Sequence, residues 1–241
     1  MLTPNQLTGR STAHVTTSPG LSDKLRLQET VWGAFLLMRK AASDDGIDMA
    51  IASAFRDFDR QRLIWNKKFN GELPLYSDRG ERLDPQQLSA AQKIQAILTW
   101  SALPGASRHH WGTDFDVYDP RPFAHGSRRL ELIADEYQDG GPCFDLYTWL
   151  QQHAASYGFF FPYARYQGGV AAEPWHLSYI DLAQPALEHL SVDLLYQTLA
   201  AIDEQELAGK ELILEQLPEI KRNYIDAICP PGPPGETIWF G

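Results

Sequence analysis

The chain has 241 residues, 44% of them hydrophobic and 12% aromatic, enough to bury the core of one domain. Its formal net charge of −10 disfavours a nucleic-acid binder, which needs a basic face to track phosphates, and no run approaches the ~20 apolar residues of a membrane span. Two cysteines, Cys143 and Cys229, are too few for a disulfide framework and lack zinc-knuckle spacing, so two buried thiols are expected.

Residues 1–20 are rich in Thr, Ser, Pro and Gly and read as an arm. Ser22 and Asp23 resemble the cap of a helix running to about Ala42, and 47–55 alternates like a strand ending in Arg56. Asp57 or Asp59 can cap a helix through Phe69. A polar loop follows over 70–84, and Pro85 suits the first turn of a helix reaching Trp100. A helix over 145–157 stops at Gly158, and strands are predicted over 159–163 and 175–180. From Pro185 to Ile228 the pattern is helical with breaks at Gly209 and Pro218, and a Pro-Gly tail from Pro230 to Gly235 precedes Ile238, Trp239 and Phe240. The expected class is α+β, a small and mostly antiparallel sheet with flanking helices.

The chemistry concentrates in two clusters. In the run from Ser107 to Asp116, two histidines and two aspartates stand within ten residues. On one ideal strand His109 and Asp116 would face opposite ways, since side chains alternate. A turn or bulge at Gly112 would let a loop deliver His109 to the place where the following strand delivers Asp116. In the second cluster Glu173 and His176 lie three apart and can face one cleft. His109, Asp116 and His176 with an open fourth position make the donor set of a catalytic zinc.

The pattern Ser107, His109, Gly112, Asp116, followed by Glu173, Trp175 and His176, resembles the VanY-type D-alanyl-D-alanine carboxypeptidases, zinc enzymes that share a fold with the hedgehog signalling domain. Upstream, Ser53, Phe55, Arg56 and Asp57 stand where the family has Ser-x-Tyr-Arg-Ser, and Gln61 where it has a glutamine. The resemblance covers roughly Leu21 to Leu182. It divides the chain into an arm (1–20), a zinc peptidase core (21–184) and a C-terminal helical extension with its tail (185–241). It implies one Zn²⁺ on His109, Asp116 and His176, with Glu173 as base. Arg56 would stabilise an oxyanion or hold a substrate carboxylate, and Ser107, Gln61, Ser53 and Trp175 would contact substrate. Trp111 and Trp175 are expected to wall the pocket.

Two positions before the aspartate ligand many relatives have alanine, whereas this chain has Asp114, which can orient a ligand or pair with Arg108. His110 is expected beside the site or exposed rather than as a fourth ligand; His14, His125, His153 and His189 read as ordinary histidines. Phe159 to Phe161 and Tyr163 read as core strand, with Tyr163 and Tyr166 able to line a groove. The implied partner is a peptidoglycan stem peptide or muropeptide, cut by a monomer. L,D-carboxypeptidase, stem-peptide endopeptidase and an inactive zinc-containing binding module stand as alternatives. The family points to the cell envelope, while the first thirty residues carry no signal-peptide h-region.

Overall fold

Thr3 and Gln6 form a capping box that starts a single helical turn, α1 (Pro4–Leu7), inside the segment expected to be an arm. Leu7 is buried and its carbonyl accepts the Trp111 indole N–H at 3.1 Å, so this segment wraps the molecule. The computed structural model describes residues 1–124, 126 and 128–232. His125 and the tail residues Gly235, Ile238, Trp239 and Phe240 lie outside them.

α2 (Glu29–Asp44) starts later than the expected cap at Ser22, because Leu27 is tied to Thr16 by two backbone hydrogen bonds. Its buried Val31, Phe35, Met38 and Ala42 recur at helical spacing. β1 (Ala50–Ser53) is shorter than the alternation suggested, and α3 (Phe58–Phe69) is capped by Asp57, whose carboxylate accepts the Arg60 N–H. The expected polar loop contains a two-stranded hairpin, β2 (Leu75–Tyr76) with β3 (Arg82–Leu83). Pro85 opens only a 3-10 turn; the capping box of Ser89 and Gln92 starts α4 (Ala90–Trp100).

β4 (Asp114–Tyr118) follows the histidine run. α5 (Phe144–His153) continues as a 3-10 turn to Tyr157 and ends on left-handed Gly158. β5 (Phe159–Phe160) stops short of Pro162, which has no N–H to add to a ladder. After β6 (His176–Tyr179) come α6 (Ile180–His189), α7 (Val192–Ala200) and α8 (Lys210–Ile220). Pro185, expected to open the helical stretch, lies inside α6, and Pro218, expected as a break, lies inside α8, while Gly209 does form a break as the cap of α8. A π-turn, Lys221–Ile225, follows α8.

The sheet is antiparallel in the order β1-β4-β6-β5. Alternation along β4 gives it two faces. Phe115 and Val117 enter a core built with α2 and α5, while Asp114 and Asp116 point the other way. A second core joins Phe58 and Trp65 of α3, Ile94 and Ile97 of α4, Leu7 and the C-terminal helices. Both cysteines are free and buried, as expected. No helix among the described residues is long and apolar enough to cross a membrane.

Candidate active site

Sheet register places the first two members of the site. Asp116 on β4 stands directly opposite His176 on β6 and Ser53 on β1. His109 arrives from a 3-10 turn, Arg108–Trp111, that ends on Gly112 at φ 65. This is the turn that the parity argument demanded. Only glycine fits there: a Cβ would collide with Val15 Cγ1 and lie 3.3 Å from the Gln28 backbone nitrogen.

His109, Asp116 and His176 are buried, and one donor atom from each lies within 4.8 Å of the others. Hydrogen bonds fix which atoms these are. His109 Nδ1 is 2.9 Å from the Ala54 carbonyl, which can only accept, so Nδ1 carries the hydrogen and Nε2 keeps its lone pair, 3.5 Å from Asp116 Oδ2. His176 Nε2 donates to Asp114 Oδ1 at 3.0 Å, which turns Nδ1 toward Asp116 Oδ1 at 3.3 Å and Glu173 Oε2 at 3.2 Å. Burial pushes His109 down to about 3, keeping it neutral. Burial also opposes charge on His176, but Asp114, Asp116 and Glu173 outweigh it and raise its pKa. Asp116 Oδ1 is buried without a hydrogen-bond donor among the described residues. An unpartnered carboxylate oxygen beside the His109 lone pair and His176 Nδ1, whose proton a metal would displace, fits a divalent cation of zinc's preferences.

Asp114 does both things its position suggested. It is fully buried, accepts Arg108 Nε at 2.7 Å and the Thr113 hydroxyl at 2.5 Å, and orients His176. Arg108 also donates to Ser178 Oγ at 2.7 Å and lies over the Trp111 ring. An acid, an imidazole and a metal position in series form a common second layer of a metal site, where losing the outer acid costs about 10- to 100-fold in affinity. Asp114→Asn, which preserves shape, is therefore expected to weaken zinc binding by about that factor in a chelator-competition titration. Unchanged affinity in the folded variant would reduce Asp114 to a partner of Arg108.

The cluster opens into a cleft of about 900 Å³ between the two cores, with Ser107, Tyr163, Glu173 and Trp175 among its lining. Burial raises the pKa of Glu173, helped by Asp116 and opposed by His176 and Arg56. Arg56 lines the same cleft and donates to Gln61 Oε1 at 2.7 Å and Ser53 Oγ at 3.3 Å. Two expectations of direct substrate contact change here. Gln61 is fully buried, its amide committed to Arg56, the Ala102 carbonyl and Ser101, and neither it nor Ser53 lines the cleft. Both hold Arg56 instead.

Trp111 is not a pocket wall but a fully buried core residue. His110 is neither exposed nor at the metal cluster: its Nδ1 bonds the Arg56 carbonyl, its Nε2 accepts the Gly105 N–H at 3.1 Å, and burial lowers its pKa to about 3. Of the two tyrosines, Tyr163 lines the cleft, its hydroxyl pushed up to about 12 by burial, whereas Tyr166 is exposed outside it. Lys68, Arg129 and Tyr224 also line the cleft and went unread in the sequence. For Lys68 a signal existed, since it continues the buried face of α3.

On this small antiparallel sheet, two imidazoles and a carboxylate form a cluster that could hold a metal ion, with a second acid, Glu173, beside it. The chain belongs to the VanY family of D-alanyl-D-alanine carboxypeptidases, whose model matches residues 24–182. It is 47% identical over 103 residues to an uncharacterized protein of Haemophilus influenzae, covering 42% of this chain and 70% of that one. A D-alanyl-D-alanine carboxypeptidase of Enterococcus faecalis is 28% identical over 145 residues, 59% of this chain and 44% of that protein. Among solved structures, VanYB in complex with D-alanine-D-alanine superposes with a TM-score of 0.51 at 20% identity, over 85% of this chain and 90% of that one. The LdcB LD-carboxypeptidase gives 0.52 at 19% identity, over 85% and 78%. The fold is thus the α+β, hedgehog-like peptidase fold that the resemblance implied.

Proposed function

We infer that the cleft is the active site of a zinc-dependent peptidase that removes the terminal D-alanine from peptidoglycan stem peptides. One observation carries this reading: the three donor atoms lie within 4.8 Å of one another, while Glu173 reaches the same place without being needed as a donor. His109 Nε2, Asp116 and His176 Nδ1 would hold the ion. When bound, zinc supplies Lewis acidity that polarises a carbonyl and acidifies water toward neutral pH.

The remaining work falls to the chain's own side chains. Glu173 takes the proton of the attacking water and passes it to the departing amine, so the peptide C–N bond breaks as a C–O bond forms. A buried carboxylate of raised pKa suits that exchange, because it can bind a proton and release it again. Arg56, fixed by Gln61 and Ser53, faces the charge that develops on the carbonyl oxygen, where a rigid guanidinium needs little reorganisation. Tyr163 and Trp175 exclude bulk water from the cleft.

Mass spectrometry of digested muropeptides tests the reading. Loss of one D-alanine from a pentapeptide stem is expected. Release from tetrapeptides alone would make the enzyme an L,D-carboxypeptidase, and cuts within the stem an endopeptidase.

A further inference from the structure

The buried face of α3 runs Phe58, Gln61, Trp65, and the next position at that spacing is Lys68. A lysine there breaks the pattern that builds the core. Helical side chains tilt toward the N-terminus of their helix, so the Lys68 stem leads back toward Gln61 and the Arg56 that Gln61 holds. Lys68 lines the cleft beside Arg56, and its ammonium feels both Arg56 and Glu173. It has no hydrogen bond or ion pair among the described residues. Its partly buried position brings its pKa down to about 8, against the pull of Glu173.

We propose that Lys68 anchors the C-terminal carboxylate of the substrate, making the site selective for cutting next to a chain end. This rests on the peptidase reading above. Arg56 is already committed to Gln61 and Ser53 at the edge of the metal cluster, which suits the reacting carbonyl. A second cation, set back from the first, would favour the carboxylate one residue further on. Lys68, unpaired and in the same cleft, is available for it. A carboxylate arriving there offsets the cost of holding the ammonium partly out of water, whereas an amide does not.

The test compares the zinc-loaded full chain with Lys68→Met and Lys68→Arg on a blocked tripeptide ending in D-Ala-D-Ala and on its C-terminal carboxamide. Methionine suits a buried helical position, and circular dichroism checks the fold. The expected result is a fall of about 10- to 100-fold in kcat/KM for the free acid in Lys68→Met, seen mainly in KM, with little change for the carboxamide and partial rescue by arginine. Equal losses on acid and amide, or no loss on either, would overturn the assignment while leaving the peptidase reading intact. Calorimetric binding of the same two peptides to Glu173→Gln, with and without Lys68→Met, separates the two claims. Lys68-dependent preference for the acid without turnover in the parent would uphold the anchor and sink the hydrolase. Binding that ignores the terminal carboxylate would sink the anchor.

Discussion

Glu173→Gln is expected to keep its zinc and lose about 10²- to 10⁴-fold in turnover, the usual worth of a positioned general base. Glutamine preserves the volume and one carbonyl oxygen, so the contact between position 173 and His176, now 3.2 Å, can persist. What disappears is the ability to accept a proton. Glu173 lies beside the donor set without belonging to it, since His109, Asp116 and His176 already supply one atom each within 4.8 Å. Metal content by mass spectrometry, measured with initial rates of D-alanine release, checks both halves. A variant that loses zinc along with activity would make Glu173 a ligand, and one that retains full turnover would move the base elsewhere.

His176→Ala should fail in the opposite way, losing the metal first. Zinc sites bind with about 10–16 kcal/mol spread over four ligands, so one ligand is worth roughly 3 kcal/mol, on the order of a hundredfold in affinity. The fold should survive, because Asp114 keeps Arg108 at 2.7 Å and Thr113 when the imidazole is removed. His110 provides the control. It is adjacent in sequence to a ligand, yet its ring bonds Arg56 and Gly105 backbone groups and packs against Gly9. His110→Ala should lower Tm and leave zinc per folded molecule unchanged. If both variants lost zinc equally, the donor set would be wrong.

Much of this site was legible because its geometry is local. The odd separation of His109 and Asp116 demanded a turn, Gly112 was there to make it, and the structure makes it with a left-handed glycine. Asp114 stood out because it departs from its relatives, and strand alternation puts it on the same face as Asp116. The residues whose roles changed depend on which neighbour arrives from far along the chain. Gln61 and Trp111 carry family or aromatic signals, but only the packing of Ala102 and Leu7 against them decides that they face inward. Helix starts slipped for the same reason: the bridge from Thr16 to Leu27 delays α2, and α4 begins after Ser89 rather than at Pro85. Lys68 is the converse case, because a charged residue at core spacing on α3 is itself a local sign that the helix borders a polar cleft.

The most direct test of the central claim is cleavage of a blocked D-Ala-D-Ala peptide by the full chain, first zinc-loaded, then chelated, then reloaded, with circular dichroism alongside. Stoichiometric D-alanine release that stops with chelation and returns with zinc, the fold unchanged throughout, is the predicted result. Release that continues at full rate in the chelated, metal-free protein would contradict the account.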